Sequence, residues 1–196
     1  MKTELIIAPP ATGKTTACIQ RILTIKKDDP LAQAWVLVPD RQKGAYFRTR
    51  LAAAGGGIGV TVGTFRDLYR DILELNGIFV PVISQALGHR LLQETVREVY
   101  ASGELTHYAA IIEKPGFLLA LQDVFAELRG ALVRPERFLE YTGNSTPARY
   151  ELARLYEHFL SHLKSLDWID MEGQSWLAIE ALEKDPKAAV HLRLVV

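Results

Sequence analysis

Cysteine is nearly missing: the 196 residues contain one, Cys18. A single thiol excludes an internal disulfide framework and any zinc or iron–sulfur centre built from this chain's cysteines, and it suits a reducing, cytoplasmic setting. Charge imbalance is absent as well, with 23 Lys and Arg against 23 Asp and Glu. No global positive field advertises a polyanion, so contact with nucleic acid has to come from local patches. Long apolar runs are also lacking. The opening MKTELIIAPP is too short for a signal peptide, and no stretch approaches the ~20 residues of a membrane helix. Neither internal repeats nor low-complexity tracts interrupt the chain. What remains is an ordinary globular composition, 48% hydrophobic, enough for one domain or two small ones.

The most specific motif is APPATGKT at residues 8–15, placed between the apolar residues 5–7 and a helical pattern carrying Ile19, Ile22 and Leu23. Strand, loop and helix in that order form the setting of a phosphate-binding loop. Backbone N–H groups wrap the phosphates at a helix N-terminus, a lysine reaches the β/γ-phosphates, and a Ser/Thr hydroxyl holds Mg²⁺. Ala11, Thr12, Gly13, Lys14, Thr15 and Thr16 are the expected nucleotide-binding residues, with Lys14 and Thr15 as the catalytic pair and Thr15 as the metal ligand. ATP and Mg²⁺ are the expected cofactors. Ala8 stands where the motif usually has glycine, and Pro9 and Pro10 lack N–H groups, but the expected donors begin at Ala11.

Strand patterns at residues 5–7, 35–38 and 60–62 alternate with helical patterns at 15–26 and 41–53, a parallel α/β layout. After the third strand, Phe65, Leu68, Tyr69, Ile72 and Leu73 form a helical stripe, opened by Thr64 with Asp67 three residues on. From residue 84 helical stripes take over, the first opened by Ser84 and including Leu91, Leu92, Val96 and Val99. Later stripes run through Phe117 to Leu128, Leu152 to Leu166 and Trp176 to Leu182, and residues 190–196 read as a strand again. The expected fold is therefore α/β: a P-loop NTPase (RecA-like) parallel sheet from residues 1–83 plus 187–196, with an all-helical inserted subdomain at 84–186. Because the sequence stops inside its last strand, it reads as an N-terminal fragment whose metal-binding acid follows Val196. Asp40, after the second strand, is the alternative acid. His158 and His162 do not make a zinc peptidase motif, since Glu157 precedes them.

The order of these parts resembles the N-terminal portion of superfamily 1 helicases of the UvrD/Rep type, and among these the AddB family of helicase–nuclease subunits. The likeness lies in the AxxxxGKT loop, VLVPDRQ, VGTFRDLYRDIL, and the helical segments KPGFLLALQDVFAELRGALVRPERF and LARLYEHFLSHLKSLDWIDMEG. The resemblance implies DNA contact by Pro39, Arg41 and Gln42 at one motif and by Thr64 and Phe65 at the next. It also implies ATP-dependent helicase and exonuclease activity in double-strand break repair and recombination. The implied partners are single-stranded or end DNA and a second, AddA-like helicase–nuclease subunit. No glutamine precedes Leu5, where UvrD/Rep proteins carry an adenine-recognition segment, so ATP binding is better supported than motor activity. The residues themselves leave alternatives open. Arg41, Lys43, Arg48 and Arg50 with Tyr46 read as a phosphate-contacting cluster or as a solvated helix face, and Phe65 reads as a DNA contact or as core. A small-molecule kinase with a helical lid and Asp40 as its metal acid also fits the loop, as does a non-catalytic ATP-binding scaffold.

Overall fold

The computed structural model describes residues 4–143 and 145–185, and the backbone of 192–195. It divides into two compact units, Met1–Asn76 with Ala181–Val196, and Gly77–Glu180. The first unit contains α1 (Lys14–Asp28), β1 (Gln33–Leu37), α2 (Arg41–Ala53), β2 (Val60–Gly63), α3 (Phe65–Leu75) and β3 (Leu192–Val195). The strands are parallel in the order β2-β1-β3, with Ala34 opposite Val60, Leu37 opposite Gly63, and Trp35 opposite Val195. Ala34, Trp35 and Val36 are buried in succession, as a central strand of a parallel sheet requires. Ile19 and Ile22 of α1 and Phe47 and Leu51 of α2 pack with Val36 into one core. Each such burial contributes about 1.5–3 kcal/mol.

The expected strand at residues 5–7 does not form: those residues carry no strand, and Leu5 and Ile7 are 81% and 86% exposed. Helix dominates the described residues, with eight α-helices against three short strands. The RecA-like P-loop NTPase sheet with an inserted helical subdomain is therefore not this architecture, and no strand feeds the phosphate-loop motif. The cause is physical. A strand exists only through hydrogen bonds to a neighbour, and β1 already has one on each side. Three apolar residues ahead of Pro9 and Pro10 offer too little burial and too few donors to extend the sheet. Of the run expected as a strand at 190–196, residues 192–195 form β3, while 190, 191 and 196 lie outside the described residues, as does Asn144.

In the second unit, α4 (Gln85–Ala101), α5 (Pro115–Gly130), α6 (Pro135–Thr142), α7 (Pro147–Ser165) and most of α8 (Met171–Lys184) surround a separate core. Leu92 and Val96 of α4, Leu121 and Phe125 of α5, and Leu155 and Tyr156 of α7 lie at its centre. Proline opens α5, α6 and α7, where its fixed φ suits the first turn and its missing N–H removes an unpaired donor. The Tyr156 hydroxyl donates to the Val133 carbonyl at 2.9 Å, and burial pushes its pKa up to about 12. Buried Glu151 on α7 accepts from the Thr106 amide and hydroxyl and from the amides of His107 and Tyr108, at 2.7–3.1 Å. His158 and His162 are engaged by side chains, Arg154 and the Thr95 hydroxyl respectively, each at 3.2 Å. Among the described residues no helix is long and apolar enough to cross a membrane.

Candidate nucleotide loop and nucleic-acid groove

Two residues with left-handed backbone shape the loop ahead of α1: Ala11 at φ 62° and Gly13 at φ 92°. Glycine suits the second position, since an L side chain is strained there, and nothing lies within 4 Å of where its Cβ would sit. Three bonds close the loop on itself. The Thr12 hydroxyl donates to the Pro9 carbonyl at 2.7 Å, and the Lys14 ammonium donates to the carbonyls of Ala8 and Pro9 at 2.5 and 2.7 Å. No side chain caps α1, so the amides of Lys14, Thr15 and Thr16 at its first turn are left for an external acceptor. Uncapped amides, open space over Gly13 and the positive end of the helix dipole fit a phosphate group. Lys14 and Thr15 are half-buried, while Ala11, Thr12 and Thr16 are exposed. The Thr16 hydroxyl accepts from Arg50 Nη2 at 2.8 Å.

Asp40, the alternative metal acid, is the N-cap of α2, its carboxylate accepting from the Lys43 amide at 2.7 Å. That bond occupies one of the two carboxylate oxygens, Oδ1.

Where β1 and β2 end, they open into a groove of about 320 Å³ lined by Trp35, Val38, Arg41, Arg48, Thr64, Asp67, Arg70 and Asp71. The first turns of α2 and α3 border it, each already facing a carboxylate, Asp40 and Asp67, and its lining carries three arginines against two aspartates. Such crevices at the carboxyl ends of parallel strands are where open α/β sheets bind ligands. Arg48 donates to the Val62 carbonyl at 3.0 Å, and Arg70 pairs with Asp67 at 3.2 Å and Glu74 at 3.8 Å. Arg41 has no hydrogen bond or ion pair among the described residues, which leaves its guanidinium available.

Thr64 caps α3 through a reciprocal box. Its amide and hydroxyl donate to Asp67 Oδ2 at 2.9 and 2.8 Å, and its Oγ1 accepts from the Asp67 amide at 3.4 Å. The Thr64 backbone bond, then the hydroxyl bond, hold the Asp67 carboxyl below the usual carboxylate range. Phe65 is 57% exposed, 6.1 Å ring-to-ring from Tyr69, so it presents a free aromatic face and is not core. Pro39 and Gln42 are exposed around the start of α2. Of the basic cluster, Arg41 and Arg48 line the groove, and Arg50 lies over the exposed Tyr46 ring at 5.7 Å. Sequence reasoning missed Arg70, for which the signal was its position three residues past Asp67, one helical turn along the groove face.

The helical unit has a second cavity of about 380 Å³, with Leu92, Phe125 and Phe159 beside buried Arg129 and its ion-pair partner Asp170. The pair fastens α5 to the turn ahead of α8.

The B-type subunit of the ATP-dependent helicase/deoxyribonuclease of Exiguobacterium sibiricum is 27% identical to the chain over 160 residues, covering 78% of this chain and 14% of that relative. The chain thus spans a small part of that relative's length. A family model described as ADDB, N-terminal, matches residues 5–189, almost the whole sequence, and the chain belongs to that family.

Proposed function

We propose that this chain is the ATP-binding, DNA-contacting N-terminal part of an AddB-type polypeptide in an ATP-dependent helicase–nuclease. It would act in the cytoplasm on DNA ends, in double-strand break repair and recombination, beside a second, AddA-like subunit. Family membership and the activity for which the Exiguobacterium relative is named support this reading. The motif order, of the superfamily 1 helicase type, supports it too. The observation that carries it is the strand-end groove, where Arg41 and Arg48 line the crevice at the first turns of α2 and α3 while Arg70 is paired with Asp67.

In this reading Arg41 takes a phosphate of a single strand, because among the described residues its guanidinium makes no hydrogen bond or ion pair and has only the nearby charge of Asp67, and Arg48 takes a second. The exposed Phe65 offers a face on which a base stacks, worth about 1–3 kcal/mol. Thr64 fixes the first turn of α3 and so the direction of that ring. Pro39 and Gln42 border the same path at the start of α2. At the loop, the amides from Ala11 to Thr16 and the Lys14 ammonium hold the phosphates of ATP, and the Thr15 hydroxyl holds Mg²⁺. ATP held there would supply triphosphate-cleavage chemistry to the larger polypeptide.

Anisotropy of a labelled oligothymidine titrated with the chain tests the groove. The double substitution Arg41→Ala and Arg48→Ala is expected to weaken single-strand binding at least tenfold and to leave ATP affinity unchanged. Equal DNA affinity in parent and variant would refute the DNA path.

A further inference from the structure

The bond between Arg50 and Thr16 joins residues 34 apart in sequence and places a guanidinium beside the first turn of α1. One of its five N–H donors is spent there. Among the described residues Arg50 has no carboxylate partner, and its guanidinium otherwise lies over the exposed Tyr46 ring. A cation is disfavoured at the positive end of a helix dipole, and this end has no side-chain cap to offset it. An anion bound at the same turn would be favoured by both the guanidinium and the uncapped amides.

We infer that Arg50 is a second phosphate-binding cation of the nucleotide loop, acting on the α/β-phosphates beside the Thr16 end of the turn, while Lys14 acts on the β/γ-phosphates. The inference rests on the nucleotide reading of the loop proposed above. Arg50 belongs to α2, the helix that also brings Arg41 and Arg48 to the groove, and its stem lies along Tyr46. Both Mg·ATP and Mg·ADP contain the phosphates it would touch, so both should feel its loss equally.

The test is calorimetric titration of the 196-residue chain with Mg·ATP and Mg·ADP at several salt concentrations, for the parent, Arg50→Met, Arg50→Lys and Lys14→Ala. Methionine keeps an apolar stem along Tyr46 and removes the charge. Arg50→Met is expected to lose about tenfold or more for both nucleotides and to flatten the salt dependence of binding. Arg50→Lys should recover part of the affinity. Lys14→Ala should lose more for ATP than for ADP. Parent-like affinity in Arg50→Met alongside weakened ATP binding in Lys14→Ala would overturn the inference and leave the loop reading standing. Weakened binding with unchanged salt dependence would make Arg50 a strut between α1 and α2, also overturning it. A parent chain that binds neither nucleotide would overturn both the loop reading and the role of Arg50.

Discussion

Replacing Thr64 by alanine separates what this residue does for α3 from what it does for DNA. The change deletes the hydroxyl that donates to Asp67 Oδ2 at 2.8 Å and accepts from the Asp67 amide at 3.4 Å, and spares the backbone donation at 2.9 Å. Loss of a Thr N-cap costs 0.5–2 kcal/mol, typically about 1. Half of the reciprocal box survives, so the expected cost is about 1 kcal/mol, read from urea unfolding followed by circular dichroism at constant m. Thr64→Ser should restore most of it. The cost should also depend on pH. The Asp67 carboxyl is held low by Thr64, so its contribution is fully present above the unfolded value of about 3.9 and is lost as pH falls through the lower folded value. Parent and variant should therefore converge in stability in acid. Because the hydroxyl is committed to Asp67, single-strand affinity should change no more than about twofold, within the 0.5 kcal/mol of an indirect effect. A tenfold loss of DNA affinity without loss of stability would refute the assignment of Thr64 as a cap.

Glu151→Ala strands three amides and a hydroxyl; about 3 kcal/mol should be lost at neutral pH, measured by thermal or urea unfolding. Burial pushes the Glu151 carboxyl up, but the His107 amide, the Thr106 hydroxyl and amide and the Tyr108 amide hold it below the usual range. Its contribution should accordingly persist above the unfolded value of about 4.3 and fade as pH drops through the folded one. Gly173→Ala would put a Cβ 2.5 Å from Arg129 Nη2, beside the buried pair with Asp170. An expected loss of about 1–3 kcal/mol would show as a lowered unfolding midpoint.

Helix starts were the most legible part of this sequence, because each rests on chemistry local to a few residues. Thr64 with Asp67, and Ser84 ahead of α4, cap as their spacing requires. The loop's turn into α1 was legible for the same reason. The stripes of α4, α5 and α7 were legible from 3.6-residue periodicity, whereas α6, eight residues from Pro135, fell between the stripes read at 117–128 and 152–166. Residues 5–7 misled because an apolar triplet reads as a strand whether or not a neighbour exists to pair with it. Pairings across tens of residues had no local signal at all. Thr16 with Arg50 and Arg129 with Asp170 depend on how helices pack, and so does the placement of Arg41 and Arg48 in one groove.

The most direct test of the groove is the salt dependence of single-strand binding by the parent chain and by Arg41→Ala. Each phosphate contact adds about −0.7 to the slope of log Kobs against log salt. Arg70 is paired with Asp67 and Glu74, leaving Arg41 and Arg48 as the phosphate-facing cations. The parent should give a slope of about −1.4, and Arg41→Ala about −0.7. A parent slope near zero, or the same slope in Arg41→Ala as in the parent, would contradict the assignment of this groove to DNA.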